Sequence, residues 1–437
     1  MMKSFLILLV GLFTFGLCSA EDVTVKFDSA YTYRMLDHTS EVNRKQLLLL
    51  KMRQAGRLEN KQLYLGAGMN VIADMQESNT EAKFGYLMRH PTQNNQGGRS
   101  ASELVIHDAK LQVTGTLAPW ATMYFQMLYD PQQSFGAGTI TSLGRNQVQL
   151  RRGYVLLGDL SKMPFYASLG KMATPFGLTD TVNPFTSSTV WHAFGGLAYG
   201  GQLGYSHGGL DLAVMGIQGG AQFRAANSGD GIPDDVANYA ASAAYTLPIA
   251  EDAALRVAGS YVDGSAYCQG FPVTHFSGCD GFNNPAWDAY TVLNWGRLKV
   301  LAEYAETTEE WPGTHNPNPP LDVFAAEKVS SFDIGVKYQL PVQAIGKDVG
   351  VSVDFSRFVA GAEGSPWEDQ SQFVVGLELF WNANMQFFAE YIKTEGYVPL
   401  NFISGPDPFD PSENPGTTHS VSEAESEVVV VGMRVSI

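Results

Sequence analysis

Residues 348–358 read DVGVSVDFSRF, and every second one is bulky and apolar: Val349, Val351, Val353, Phe355. Gly350, Ser352, Asp354 and Ser356 alternate with them. A period of two predicts a β-strand with one apolar and one polar face. The same alternation predicts strands over 62–78, 103–118, 120–131, 146–159, 165–176, 198–207, 209–219 and 236–247. It continues over 253–264, 286–295, 297–308, 329–340, 348–360, 369–381, 385–396 and 424–437. Sixteen strands form an even set, as a barrel with both ends on one side requires.

The connections alternate in length. Short ones fall at Pro119, 161–164, 207–209, 248–252, Gly296, 341–347 and 382–384. Long ones fall at 79–102, 132–145, 177–197, 220–235, 265–285, 309–328, 361–368 and 397–423. Sorting loops by length onto two ends is the layout of an outer-membrane barrel, with short periplasmic turns and long external loops. A soluble sandwich has no reason to sort them.

The two strand faces differ in chemistry. One carries Phe332, Ile334, Val336 and Tyr338, or Met123, Phe125, Met127 and Tyr129. The other is rich in Gly, Ser, Thr, Gln and Asn with charges of both signs, which suits a wet lumen. Trp120, Phe165, Tyr205, Tyr245, Trp295, Tyr338 and Trp381 cluster beside the short turns. Tyr129, Tyr261, Trp287, Tyr304, Phe358 and Tyr391 lie near the long loops. Two aromatic girdles are what a bilayer imposes. The expected fold is therefore all-β: a 16-stranded antiparallel transmembrane barrel over 62–437.

Two segments precede it. MMKSFLILLVGLFTFGLCSA (1–20) has Lys3, an apolar stretch and small residues at its end, the form of a secretory signal peptide. Residues 21–61 do not alternate. SEVNRKQLLLLKMRQAG (40–56) reads as a helix with Ser40 as cap and Gly56 as stop. It fits a periplasmic helix better than a plug entering the barrel, and it lacks the three heptads an oligomerisation coil would need.

Composition agrees with this organisation. The 437 residues include 45 Gly, 19 Tyr and 25 Phe, while charged residues are only 16% and mean hydropathy is −0.08. A net charge of −16 argues against nucleic-acid partners. Cys268 and Cys279 are close in an exported chain and are expected to form a local disulfide. No H-E-x-x-H or Walker pattern occurs, and the G-x-S-x-G run GYSHG (204–208) falls at a short turn, where Ser206 and His207 have no evident catalytic partner in the sequence, so no enzyme and no cofactor is expected.

Candidate functional residues follow from facing. Those expected to point inward are Asp74, Asp108, Lys110, Asp130, Arg151, Arg256, Asp288, Lys299, Glu303, Asp333, Lys337, Asp354, Glu378, Glu390 and Arg434. Acids outnumber bases, which predicts a modest preference for cations. The loop TPFGLTDTVNPFTSSTVWHAFGG (174–196) follows the fifth strand. Folded inward, it would make Asp180, Asn183, Trp191 and His192 constriction residues; left outside, it is a surface loop. Asp230, Asp234 and Asp235 in NSGDGIPDD form a weak candidate for Ca²⁺ without the full ligand set.

QLRRGYVLLGDL (149–160) with FYASLGKMATPFGLTD (165–180) resembles the strand pair of phosphate-selective (O/P-type) porins. The whole layout is similar to LbtU-type siderophore porins. The resemblance implies an outer-membrane pore for small hydrophilic solutes, ferric siderophores among them. It also implies dependence on the outer-membrane assembly machinery and leaves a homotrimer open. The departures are a short N-terminal coil, few inward arginines and a terminal Val-Ser-Ile in place of an aromatic. The alternative is a surface-recognition or adhesion barrel with a closed lumen.

Overall fold

A computed structural model describes residues 24–81, 84, 98–130, 147–218, 235–267, 283–342, 346–398 and 420–437. Strand β1 (Thr24–Phe27) leads into helix α1 (Ser29–Leu36). A short 3₁₀ turn (Val42–Arg44) then enters helix α2 (Lys45–Gln54). Next come β2 (Gln62–Ser78), β3 (Ser100–Ala118), β4 (Ala121–Asp130), β5 (Gln147–Gly158) and β6 (Phe165–Ala173). Helix α3 (Thr189–Phe194) precedes β7 (Leu197–His207), β8 (Leu210–Gln218), β9 (Val236–Ala250) and β10 (Ala253–Val262). The chain continues through β11 (Ala286–Trp295), β12 (Leu298–Thr307), β13 (Ser330–Val342) and β14 (Lys347–Val359). It ends with β15 (Asp369–Asn382), β16 (Met385–Tyr397) and β17 (Val421–Ser436).

Each strand from β2 to β17 pairs antiparallel with the next, and β17 closes on β2 from Ser436↔Gly68 to Ser426↔Ser78. The result is a closed sixteen-stranded barrel with no free edge. All sixteen expected strands are present. β1 is an addition that alternation over four residues could not show. It pairs in parallel with β2, from Thr24↔Gln62 to Phe27↔Leu65. β3 holds the other edge of those β2 residues, so β1 continues the edge that β17 leaves below Gly68.

The barrel is inverted relative to a globular protein. In β14, Val353 is 44% exposed and Asp354 is fully buried. Leu104, Leu111, Leu169, Leu203 and Val214 are likewise exposed. Gln112, Thr114, Ser168, Gln372 and Gln386 are buried. The apolar face points outward and the polar face inward. Trp120, Phe165, Trp295 and Trp381 stand exposed beside the short turns, and Trp287, Tyr304 and Tyr391 near the other end. Phe358 does not join that outer set. It shares the inward parity of Asp354 and Ser356, is fully buried, and lies 6.4 Å from the Tyr267 ring.

The N-terminal segment also departs from expectation. Its helix starts at Lys45 rather than near Ser40, and the Ser40 hydroxyl donates to Asp37 instead of capping. More importantly, it packs inside the barrel rather than outside it. Tyr31, Met35, Leu47, Leu48, Leu49, Leu50 and Met52 are buried in one cluster with Tyr64, Tyr124, Tyr154 and Tyr166 of the inner wall. A helix carrying four consecutive leucines has no stable place in water, and the wall offers an aromatic surface that covers it. Tyr31 is hydrogen-bonded to Thr114 of β3, and Tyr33 donates to Gln386 of β16 at 3.1 Å. Arg53 donates to the Ala118 carbonyl at the turn between β3 and β4. α1 and α2 thus plug the short-turn half of the barrel. No described helix is long and apolar enough to cross a membrane.

Candidate functional site

The lumen holds two insertions, and the first is the connection from β6 to β7. It folds inward and runs beneath the inner faces of β12 to β16. Carboxylates of the wall capture its backbone donors. Glu303 accepts from the Leu178 and Thr179 N–H groups at 2.6 and 2.9 Å. Glu390 accepts from Phe185 and Thr186 N–H at 2.7 and 3.1 Å, and from the Thr186 hydroxyl. Asp354 accepts from the Thr181 hydroxyl at 3.0 Å. Gln372 donates to the Ser187 carbonyl, and Ser356 accepts from Thr189 N–H. Two wall glycines make room: a Cβ at Gly335 would lie 2.5 Å from Val182, and one at Gly376 would lie 2.7 Å from Pro184.

Helix α3 ends the loop. Ser188 caps it by accepting from Trp191 N–H, which fits its preference for a hydroxyl at that position. Trp191 is buried with Phe185, Phe388 and Val374. His192 stands edge-on to Trp191, ring centroids 4.9 Å apart. Asn183 donates to the Thr186 carbonyl within the loop.

The second insertion, the N-terminal segment, meets the first at Asp180. That carboxylate accepts from Val42 N–H at 3.0 Å and from Arg44 at 2.8 Å. Asn43 donates to the carbonyls of Phe176 and Gly177, and His38 bonds the Phe185 carbonyl. Arg434 of β17 ties loop, segment and wall together. It donates to Pro184 O in the loop, to Asp37 and Tyr33 in the segment, and to Asn70 in β2.

The remaining sequence candidates also face the interior. Lys337 pairs with Glu378 at 2.5 Å, and Gln339 and Gln386 donate to the same carboxylate. Arg256 pairs with Asp211 at 2.8 Å and reaches Thr246 and Tyr290. Asp333 is buried opposite Glu303. Arg151 is buried on the wall. Asp130 ends β4, and its side chain is outside the described residues, as are Asp230, Asp234, Cys268, Cys279 and the leader 1–20. Asp235 is exposed, and no metal-binding cluster of acids, His or Cys occurs among the described residues.

Strict alternation missed two residues. A register shift between Gln126 and Met127 puts Arg151 in a β-bulge, so Arg152 points inward as well and donates to Gln126. A second shift at Asn70 leaves His107 unpaired in register, beside an equally buried Asp108 that it contacts at 3.0 Å. A bulge adds one residue and resets the facing, which sequence parity cannot register. Arg34, Arg44, Lys51 and Arg57 were missed for another reason: their segment was placed outside the barrel. One signal could have placed it inside: Tyr64, Tyr124, Tyr154 and Tyr166 sit on strand faces that should otherwise be wet.

Between α2 and the wall from β8 to β12 an opening of about 590 Å³ remains at the short-turn end. Its lining is mixed: charged groups share it with Leu47, Leu48, Met52 and Ala55 on the helix side and Ala254 and Val292 on the wall.

No family model matches the chain. A protein of the UPF0422 group from Coxiella burnetii is 26% identical over 163 residues. That match covers 36% of this chain and 31% of the relative, so the chain spans under a third of that protein's length. OprB of Pseudomonas putida superposes with a TM-score of 0.53 at 7% identity, covering 85% of this chain and 94% of OprB. OmpT of Vibrio cholerae gives 0.48 at 10% identity, covering 86% and 97%. DcaP of Acinetobacter baumannii, an outer-membrane channel, gives 0.46 at 12% identity, covering 86% and 97%. The OprB superposition agrees with the sixteen-strand porin architecture and speaks to fold alone.

Proposed function

We propose that the chain is an outer-membrane channel through which small hydrophilic solutes pass beside an internal plug. One observation carries this reading. A closed, inverted barrel holds an opening lined by charged side chains between the plug and the wall. A membrane is the environment that makes an apolar exterior stable. The N-terminal twenty residues would route the chain for export. Ferric siderophores, which the family resemblance implies, are one solute class within this proposal. Growth on a siderophore as sole iron source, with and without the gene, tests that point; unaltered growth removes it.

Planar-bilayer recording of the purified protein tests the channel. Stepwise conductance is expected, and its absence would sink the reading. A lipid-facing exterior has its own check. Val353→Arg places a charge on the exposed face of β14 and should cost ~2–4 kcal/mol of folding stability in bilayers. A neutral result would mean that this face meets no lipid.

A second reading rests on a specific feature. Tyr267, Trp311, Phe358 and Trp367 are buried together toward the long-loop end of the barrel. Such a packed aromatic layer suits a barrel closed from above whose outer surface recognises a partner. Conductance separates the two readings.

A further inference from the structure

The opening beside α2 has a charge opposite to that of the chain. Six cations line it: Arg34, Arg44, Lys51, Arg57, Arg256 and Lys299. Three acids line it, Glu41, Asp180 and Asp211, so the lining carries three positive charges in excess, while the whole chain carries −16. The acids are already engaged. Glu41 holds Arg34 through both oxygens at 2.9 Å. Asp180 holds Arg44, and Asp211 holds Arg256.

The surplus therefore resides in the other three cations. Lys51 reaches both oxygens of Asp211 only at 3.5 Å, and that carboxylate already holds Arg256 and the Ser206 hydroxyl. Arg57 reaches Asp28 at 3.9 Å. Lys299 lines the opening with no hydrogen bond or ion pair among the described residues. The wall supplies Lys299 and the plug supplies the other two, so the surplus exists only while the plug is seated. The acids that suggested a cation preference are elsewhere. Asp333, Asp354, Glu303 and Glu390 lie buried beneath the inward loop, where backbone N–H and hydroxyl groups occupy three of them.

We infer that this opening is an anion site: it binds and passes small oxyanions, carboxylate or phosphate, at the short-turn mouth. The inference deepens the channel reading and rests on it for the passing, not for the binding. Cations gathered around a confined opening raise the local anion concentration and match oxyanion acceptors.

Reversal potentials in a KCl gradient test it on the full chain. The protein is expected to prefer chloride over potassium on the order of threefold at low salt, fading near 1 M as screening shortens. The variant Lys51→Gln/Arg57→Gln/Lys299→Gln should shift the reversal potential toward cations. Cation preference in the unaltered protein, or an unmoved potential in the variant, overturns the inference. Folding is checked by heat-modifiable migration, and if the triple variant fails, Lys299→Gln alone replaces it. If no conductance is seen, the channel reading falls and binding decides. Citrate and inorganic phosphate are titrated separately into the detergent-solubilised protein. At least one should bind, weakened on the order of tenfold in the variant. No binding of either, or equal binding in both proteins, overturns the site.

Discussion

The β6–β7 loop and the segment ahead of β2 occupy the same lumen but are held there in different ways. The loop is fixed mainly through its backbone. Glu303 and Glu390 each accept two of its N–H groups, and glycines in the wall admit its side chains. The segment is fixed mainly through side chains: leucines and tyrosines against an aromatic wall, and ion pairs at its margins. Backbone capture tolerates many loop sequences but demands particular wall residues. Side-chain capture demands both partners. The loop should therefore respond most to changes in the wall, and the segment to changes on either side.

The sharpest break in this comparison is at the residue that serves both insertions. Replacing Arg434 with Met leaves Asp37 buried without its guanidinium partner and removes the donor to Pro184 O. Losing one partner of a buried pair costs about 3–5 kcal/mol. The urea midpoint of the folded barrel in lipid should fall accordingly, and single-channel current should become noisier. A change below about 1 kcal/mol would mean that the two insertions are independent of this arginine.

Next in size is Glu390→Ala, which strands the Phe185 and Thr186 N–H groups. Each unsatisfied buried donor costs about 1–3 kcal/mol. Glu390→Gln keeps an acceptor oxygen and should recover part of that loss. The segment keeps its contacts with the wall and meets the loop only at His38 and Val42–Arg44, so hydrogen exchange should rise in residues 178–190 and much less in 29–54. Equal rises in both would erase the distinction drawn above.

How much of this was legible in the sequence follows from the same contrast. All sixteen barrel strands could be read from alternation, because membrane and lumen impose opposite chemistry on successive residues. Asp180 stayed open between an inward loop and a surface loop, whereas the inward facing of Glu303 and Glu390 followed from that alternation. Arg152 and His107 did not, since each depends on a bulge that only pairing reveals. Phe358 was misplaced by ignoring its own parity. The plug was misplaced for a deeper reason. Helical periodicity shows that residues 45–54 have an apolar surface, but the partner surface lies on four different strands. Tyr64, Tyr124, Tyr154 and Tyr166 become neighbours only after the barrel closes.

A pH change should separate the insertions by a smaller margin. Lys45 is buried in α2, and burial lowers its ammonium pKa to about 8 from 10.5, against the pull of Asp37 and Glu41. A base whose folded pKa is depressed carries its cost fully below the folded value, where it must stay charged while buried. Between pH 8 and 10.5 the unfolded chain binds more protons, so stability rises with pH at up to about 1.4 kcal/mol per unit. Protease attack at the segment should slow between pH 7.5 and about 9.5, and Lys45→Met should abolish the trend. An unchanged rate would mean that Lys45 is solvated in its bound state.

The smallest effect is expected at Lys51. Its pair with Asp211 is long, at 3.5 Å, and the lysine side chain is half exposed. Exposed pairs contribute roughly 0–1 kcal/mol. Asp211 also keeps Arg256 and the Ser206 hydroxyl when Lys51 is neutralised. Lys51→Gln should therefore leave the urea midpoint within experimental error. Arg44→Gln should lower it, because Asp180 is buried and loses its charged partner. These two residues lie seven apart along the segment and line the same opening, so charge alone does not distinguish them. What separates them is the burial of the acid each one faces. If both substitutions destabilise equally, the segment is held by its net charge, and the leucine–tyrosine contact is secondary to it.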